Sequence, residues 1–451
     1  MNINRKGFLT LGGLGIGATA LAACGGPSTS GGPNTAATNV DWSKVKPAGQ
    51  ITFLSSHPGS SQPIEQKLID DFQKANPEIK VSLITGGSNY EEVAQKFQTA
   101  QTGNDTPDIV LASDVWWFRF AIADSIVPID ELLKAVNDKT DDFNQTLYDD
   151  YKYDNKHWAV PNNRSTPLFY YNKDHFKAAG LPDRAPKTWD EFAQWAPKIQ
   201  QANASKPGFL HAYQYPALAG YAGWTLQNVL WGFGGSWSKE WDITADSDET
   251  VKAMQWVQDS IVKNNWAGVS SKDAVGDMTA GAVSSTVSST GDLVTTLKAA
   301  KEKGLNIGVG FLPGGPASAS PVCPTGGAGL AIAKKSSPER QLAAAKFLSF
   351  YTSAQSTAQF SEATGYMPSR TSADMSAVLA KTPQIQVALD QLKVTKSQDY
   401  ARVFLPGADQ EMAKAAAKIM NEKADVKATL ADLKNTLQGI YDKDVKPKLK
   451  S

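Results

Sequence analysis

The chain opens its folded part with short apolar segments that alternate with amphipathic ones. Three segments have the short apolar or alternating pattern of β-strands: residues 51–54, 79–83 and 109–111. Two stretches between them repeat apolar residues every three or four positions and predict helices, over 63–75 and from a Ser88 or Asn89 cap to about 100. This order predicts a βαβαβ unit with a parallel sheet, in which ligands bind beyond the carboxyl ends of the strands.

A second α/β unit is predicted after residue 161. Its expected strand is residues 168–172, and further strands are expected later in the chain over 282–287 and 307–311. Thr188 and Glu191 have the spacing of a capping box, so a helix should begin there. Further helices are expected over 342–351 and 412–441. The fold class is therefore α/β.

The first 39 residues have a different pattern. Arg5 and Lys6 precede an apolar segment, residues 8–22, that is too short to span a bilayer and leads directly into Cys24. Residues 25–39 are rich in Gly, Ser, Thr, Pro and Asn, which is typical of a flexible tether. We predict a signal peptide over 1–23 and a tether over 24–49. An ordinary signal peptide with a chance cysteine is the alternative.

Composition narrows the possible functions. The chain of 451 residues has 45 Lys and Arg against 45 Asp and Glu, a balance that argues against nucleic acid as a partner. Its length suits two domains. Only two cysteines occur, so no disulfide framework is expected, and the four histidines lack metal-ligand spacing. The 12 tryptophans suit a sugar-binding cleft as well as a core. We expect no metal and no cofactor.

Two sets of motifs resemble known families. Residues 21–24 (Leu-Ala-Ala-Cys) resemble the lipobox of bacterial lipoproteins, which implies lipidation of Cys24 and anchoring at the outer face of the cell membrane. Motifs along the rest of the chain resemble the family 1 extracellular solute-binding proteins of carbohydrate ABC importers, in particular the sn-glycerol-3-phosphate-binding branch. These motifs are Ser-Asn-Tyr-Glu-Glu at 88–92, Tyr-Tyr-Asn-Lys-Asp at 170–174, Pro-Lys-Thr-Trp-Asp-Glu at 186–191 and Thr-Gly-Tyr-Met-Pro-Ser at 364–369.

The resemblance implies two discontinuous lobes, joined by a hinge, with the ligand in the cleft between them. We expect residues 50–161 and 280–327 in the N-terminal lobe, and 162–279 and 328–451 in the C-terminal lobe. The implied protein is a monomer that delivers its ligand to the permease subunits of an ABC transporter, and it is not an enzyme. The alternatives are an exported carbohydrate-active enzyme, which would need a pair of carboxylates, and a sensing receptor without transport.

The resemblance also implies a set of ligand contacts. They comprise aromatic, hydroxyl and acidic side chains and one glycine: Tyr90, Asp114, Ser165, Ser289, Gly327 and Tyr366. Trp224 is a further candidate platform. The alternatives are a half-buried core position for each tyrosine or tryptophan, a helix cap for Asp114 and a turn for each serine.

One position departs from the glycerol-phosphate branch, which has a late arginine suited to phosphate. Asp409 and Gln410 align there, several residues after Arg402. Arg164 could supply the missing charge, or it could pair with a surface carboxylate at the lobe junction. A neutral sugar, glycerol 3-phosphate and a glycerophosphodiester therefore all stay open as ligands.

Overall fold

Two five-stranded sheets organise the computed structural model, which describes residues 40–56 and 61–449. The first sheet has the spatial order Lys80–Thr85, Gln50–Ser55, Ile109–Ser113, Gly326–Ile332 and Val160–Ser165. Its first three strands run parallel, which confirms the predicted βαβαβ unit. Gly326–Ile332 then pairs antiparallel with both of its neighbours.

The second sheet is mixed. Its spatial order is Ala267–Val269, Tyr213–Tyr215, Ser285–Ser289, Pro167–Asn172 and Ile307–Gly310. Pro167–Asn172 pairs antiparallel with the two strands beside it. Most side chains of both sheets' central strands are buried on the two faces, because helices cover each side.

Helices surround both sheets. Those that pack on or beside the first sheet include Gln62–Ala75, Tyr90–Ala100, Trp117–Ile122, Asp130–Ala135, Gln145–Asp149, Pro338–Tyr351 and Ala354–Thr364. The others are Lys173–Ala178, Trp189–Asn203, Ala222–Gly232, Asp248–Val262, Ala274–Thr279, Leu293–Glu302, Ser376–Lys381, Ile385–Leu392, Tyr400–Val403, Ala408–Met420 and Val426–Ile440. Asn89 caps its helix by accepting from the Glu92 amide at 3.0 Å, and Thr188 caps Trp189–Asn203 by accepting from the Glu191 amide at 3.1 Å. Both caps are thus confirmed, except that the Glu191 carboxylate accepts from the Lys187 amide at 2.6 Å instead of returning the bond to Thr188.

The chain crosses between the sheets more than once. It leaves the first sheet at Ser165, enters the second at Pro167, and returns between Gly310 and Gly326. The predicted N-terminal lobe included residues 280–327. Two strands of that range, Ser285–Ser289 and Ile307–Gly310, lie in the second sheet instead of the first. Gly326–Ile332 lies in the first sheet. The apolar pattern could not show this, because strands buried on both faces look alike whichever sheet they join.

The predicted signal peptide, Cys24 and most of the tether lie outside the described residues. Within the described ranges, no helix is both long and apolar enough to cross a bilayer.

Candidate functional site

The two predicted tyrosines meet where the lobes adjoin. The hydroxyl oxygens of Tyr90 and Tyr366 are 3.5 Å apart. The Tyr366 ring lies against Gly291, just after the second-sheet strand Ser285–Ser289, so closely that a Cβ there would be 2.7 Å from a ring carbon. Burial raises the pKa of Tyr366 to about 12, and it also raises the pKa of Tyr90. Both phenols therefore stay neutral and can donate as well as accept.

Asp114 is the centre of a buried polar network. It follows strand Ile109–Ser113, and its carboxylate accepts from Arg402 Nη1 at 3.1 Å and from the side-chain amide of Gln398. Arg402 Nη1 also donates to the Gln398 carbonyl, and its Nε donates to Asp409 at 2.8 Å. The Arg402 side chain is only 5% exposed. Hence Asp114 is not a helix cap but an acceptor held in place by an arginine.

Arg402 contacts Asp114, one of the predicted ligand contacts, although it lies several residues before the position where the family's arginine aligns. The residues that align with the family's arginine, Asp409 and Gln410, begin the helix Ala408–Met420. The preceding short helix Tyr400–Val403 and the left-handed Gly407 turn the chain back, so Arg402 lies beside Asp409 and extends to Asp114. The sequence did not show this contact, because only the turn at Gly407 brings Arg402 back beside Asp409.

Arg164 has a different environment from the one predicted for a phosphate ligand. Its side chain is fully buried, and its Nη2 makes an ion pair with Asp150, whose side chain is 9% exposed. Its Nη1 donates to the Tyr151 hydroxyl at 2.8 Å. The carboxylate therefore already neutralises this guanidinium, as in the alternative given above, although the pair is buried and not on the surface.

Gly326 and Gly327 lie where a neighbouring backbone segment and an aromatic ring approach the strand closely. Gly327 has φ of +107°, and a Cβ there would collide with the carbonyl oxygen of Asn163. The strand bulges between Gly327 and Gly329. The indole of Trp224 packs on Gly326, and its Nε1 donates to the Thr325 carbonyl at 2.9 Å. The glycines thus let an indole from the second lobe lie against a first-sheet strand.

The two predicted serines have unequal surroundings. Ser165 ends its strand opposite Gly326, at 2% exposure. Ser289 Oγ accepts from the Gly291 amide at 3.0 Å, which makes it a cap of the turn that Tyr366 contacts. Ser289 therefore orders the turn below the tyrosine ring, the role that its alternative assigned.

Three further buried hydroxyls lie at the strand ends where ligands were expected, although none of them was among the predicted ligand contacts. Ser56, Ser113 and Thr290 are at most 2% exposed, and their hydroxyl oxygens have no hydrogen-bond partner among the described residues. Each lies at or just after the carboxyl end of a strand. Buried polar atoms normally have partners, so these three hydroxyls are exceptions at the ends of the strands. The strand-end rule already pointed to the ends that carry Ser56 and Ser113.

Comparison with known proteins gives a consistent result. The family model described as bacterial extracellular solute-binding protein matches residues 67–387. The sn-glycerol-3-phosphate-binding periplasmic protein UgpB of Salmonella typhimurium is 29% identical over 340 residues, which are 72% of this chain and 75% of the relative. The crystal structure of UgpB from Mycobacterium tuberculosis in complex with glycerophosphocholine is 42% identical, with a TM-score of 0.83, and the match covers 88% of this chain and all of that one.

More distant structures share the fold. The GacH receptor of Streptomyces glaucescens is 20% identical with a TM-score of 0.76, over 88% of this chain and 99% of that one. The maltose-bound MalE3 of T. maritima is 22% identical with a TM-score of 0.75, and the match covers 87% of this chain and 99% of that one. These likenesses confirm the two-lobed architecture with an interlobe cleft.

Proposed function

This chain belongs to the bacterial extracellular solute-binding proteins, and we propose that it is the substrate-binding component of an ABC importer for a glycerophosphate ligand. The observation that carries the proposal is the Asp114–Arg402 pair, 3.1 Å apart and nearly buried. Together with the Tyr90–Tyr366 contact, it gives the interlobe region a hydroxyl acceptor, a cation and aromatic surfaces. The glycerophosphocholine complex of the 42% identical relative supports the same class of ligand.

Each part of a glycerophosphate has a chemical counterpart in this set. Asp114 accepts from glycerol hydroxyls. The described contacts of Arg402 use two of its three nitrogens, and the planar guanidinium fork suits phosphate oxygens. Because Asp114 and Asp409 already compensate the charge of Arg402, Nη2 would serve a phosphate as a hydrogen-bond donor and not as a free counter-charge.

The remaining predicted contacts take supporting roles. Ser165 and the Gly327 backbone offer polar atoms close to the lobe junction, and Trp224 offers an apolar ring face. Ser289 orders the turn beneath Tyr366. Arg164 acts through its pair with Asp150, which fixes the segment that enters the second sheet.

Calorimetric titration tests the ligand class. The mature protein is titrated with glycerol 3-phosphate, glycerophosphocholine and maltose under the same conditions. We expect both phosphate compounds to bind and maltose to bind at least about a hundredfold more weakly, a difference of about 2.7 kcal/mol. Tight maltose binding without binding of either phosphate compound would refute the glycerophosphate assignment and leave a sugar receptor.

A tyrosine variant tests the site. Tyr366→Ala should weaken binding of the phosphate ligands by about 1–3 kcal/mol, the range for loss of an aromatic anchor. Tyr441→Ala is a matched control, because Tyr441 stacks on Trp241 in the second lobe, away from the Tyr90–Tyr366 contact. If the two variants have the parent's affinity, Tyr366 is not part of the site.

We further propose that the exported protein is a monomer anchored by lipid at Cys24. The support is the residue 21–24 motif followed by a tether composition. Cys24→Ala should release the protein from the membrane or leave its signal uncut, as followed by fractionation and mass spectrometry. A variant that is cut and membrane-bound like the parent would contradict the lipid anchor.

A further inference from the structure

Two carboxylates hold the guanidinium of Arg402 from opposite lobes. Asp409 accepts from Arg402 Nε at 2.8 Å, and Asp114 accepts from Nη1 at 3.1 Å. A guanidinium is planar and rigid, so two fixed nitrogens also fix the position of the third. Nη2 makes no hydrogen bond to the residues that the structure describes. The two carboxylates therefore decide where this remaining donor lies.

The two carboxylates belong to different lobes. Asp114 follows Ile109–Ser113, a strand of the first sheet. Asp409 lies in the first turn of helix Ala408–Met420 in the second lobe, seven positions from Arg402. Opening of the cleft would separate Arg402 from Asp114 but not from Asp409. Asp409 is thus the carboxylate that can orient the arginine before a ligand arrives.

A glycine leaves room for this ion pair. Gly223 lies in helix Ala222–Gly232 of the second lobe, and a Cβ there would be 2.4 Å from Asp409 Oδ1 and 3.4 Å from Arg402 Nε. The Gly223 carbonyl accepts from the Trp237 indole at 2.9 Å, which fixes this part of the helix. Glycine is unfavourable within helices, and the close approach of the carboxylate explains it here. The position of Asp409 is therefore set by packing as well as by charge.

The ion pair is shielded from water. The exposed fraction of the side chain is 5% for Arg402 and 14% for Asp409. Burial alone would lower the pKa of Arg402, but Asp409 and then Asp114 raise it, so the guanidinium stays charged. Charges interact more strongly where water is excluded, and loss of one partner leaves the other charge poorly compensated. Asp409 therefore restrains Arg402 more firmly than an exposed carboxylate would.

We propose that Asp409 is the positioning residue of the ligand site: it orients the Arg402 guanidinium toward a phosphate oxygen and does not itself contact the ligand. The inference rests on the proposed function, in which Arg402 Nη2 donates to the phosphate. Asp114 is shared between the arginine and the glycerol hydroxyls. The described hydrogen bonds of the Asp409 carboxylate are to the arginine alone.

A double-variant cycle tests this role. The affinities for glycerol 3-phosphate and glycerophosphocholine are measured calorimetrically for the parent, Asp409→Asn, Arg402→Gln and the double variant. We expect Asp409→Asn to bind both compounds about tenfold more weakly, the lower end of the range for residues that orient metal ligands. In the Arg402→Gln background, the same change should have no further effect, because the arginine that Asp409 orients is absent. A merely structural aspartate would weaken binding equally in both backgrounds.

Gly223→Ala displaces Asp409 without altering any charge. The added methyl would lie too close to the carboxylate, so this variant should also lose affinity, again only when Arg402 is present. Asp246→Asn is the matched control, because Asp246 pairs at 2.8 Å with Lys434 of helix Val426–Ile440 and has no described contact with Arg402. It should keep the parent's affinity.

Urea denaturation of each variant separates lost binding from lost folding. Parent-like affinity of folded Asp409→Asn and Gly223→Ala, or an equal loss in both backgrounds, would overturn the positioning role while the proposed function holds. If Arg402→Gln binds like the parent, Arg402 is not a ligand contact, and the positioning role fails with it. If the parent binds neither phosphate compound, the proposed function itself fails.

Discussion

Glu65 is expected to make the protein less stable as the pH rises toward neutrality. Its carboxyl is 1% exposed near the start of helix Gln62–Ala75, and it accepts from Ser55 Oγ at 2.7 Å. Burial raises its pKa from 4.5 to about 7, against the smaller opposite effect of the Ser55 and Ser61 hydroxyls. The described structure gives this carboxyl no cationic partner. The folded state therefore prefers the protonated acid.

The sign and size follow from proton linkage. Because the folded state binds the proton more tightly than the unfolded chain, the stabilising effect is complete below pH 4.5 and is lost as the pH rises through about 7. Each pH unit between the two pKa values is worth about 1.4 kcal/mol, so the total loss is about 3 kcal/mol. Glu65→Gln cannot ionise, and its side-chain oxygen can still accept from Ser55.

The assay is urea denaturation of parent and variant between pH 4.5 and pH 8.5. The unfolding free energy of Glu65→Gln minus that of the parent should increase by about 3 kcal/mol across this interval, mainly below pH 7. Contributions of other groups cancel in the difference. Glu131→Gln, a change of an exposed glutamate, is the control and should give a flat difference. A flat difference for Glu65→Gln as well would refute the argument from burial.

Two further predictions concern the lobe junction. Arg164→Gln should lower the unfolding free energy by about 3–5 kcal/mol, because it leaves the carboxylate of Asp150 buried without its cationic partner. In the same denaturation assay, the double variant Arg164→Gln with Asp150→Asn should recover part of this loss. Gly327→Ala should lower the unfolding free energy, measured by urea denaturation, by about 3 kcal/mol. A backbone φ of +107° is strained for alanine, and the added Cβ would collide with Asn163. The control Gly439→Ala adds a Cβ at an open helical position and should be tolerated. A stable Arg164→Gln or Gly327→Ala protein would contradict the described packing.

Local patterns in the sequence determined the secondary structure well. The short apolar segments became Gln50–Ser55, Lys80–Thr85 and Ile109–Ser113, and the cap at Asn89 formed as expected. These features depend on neighbours within a few residues, so periodicity and cap chemistry are sufficient to predict them. The resemblance of the motifs then gave the α/β two-lobed class, which the comparisons confirm.

Only the tertiary structure decided which sheet each later strand joins and which charges meet. Ser285–Ser289 pairs in the second sheet through backbone hydrogen bonds, which carry no side-chain signature. Arg402 reaches Asp114 across 288 positions of sequence, whereas Arg164 is neutralised by Asp150. The sequence supplies the charged groups, but the effect of each charge depends on its distance and burial, and folding sets both.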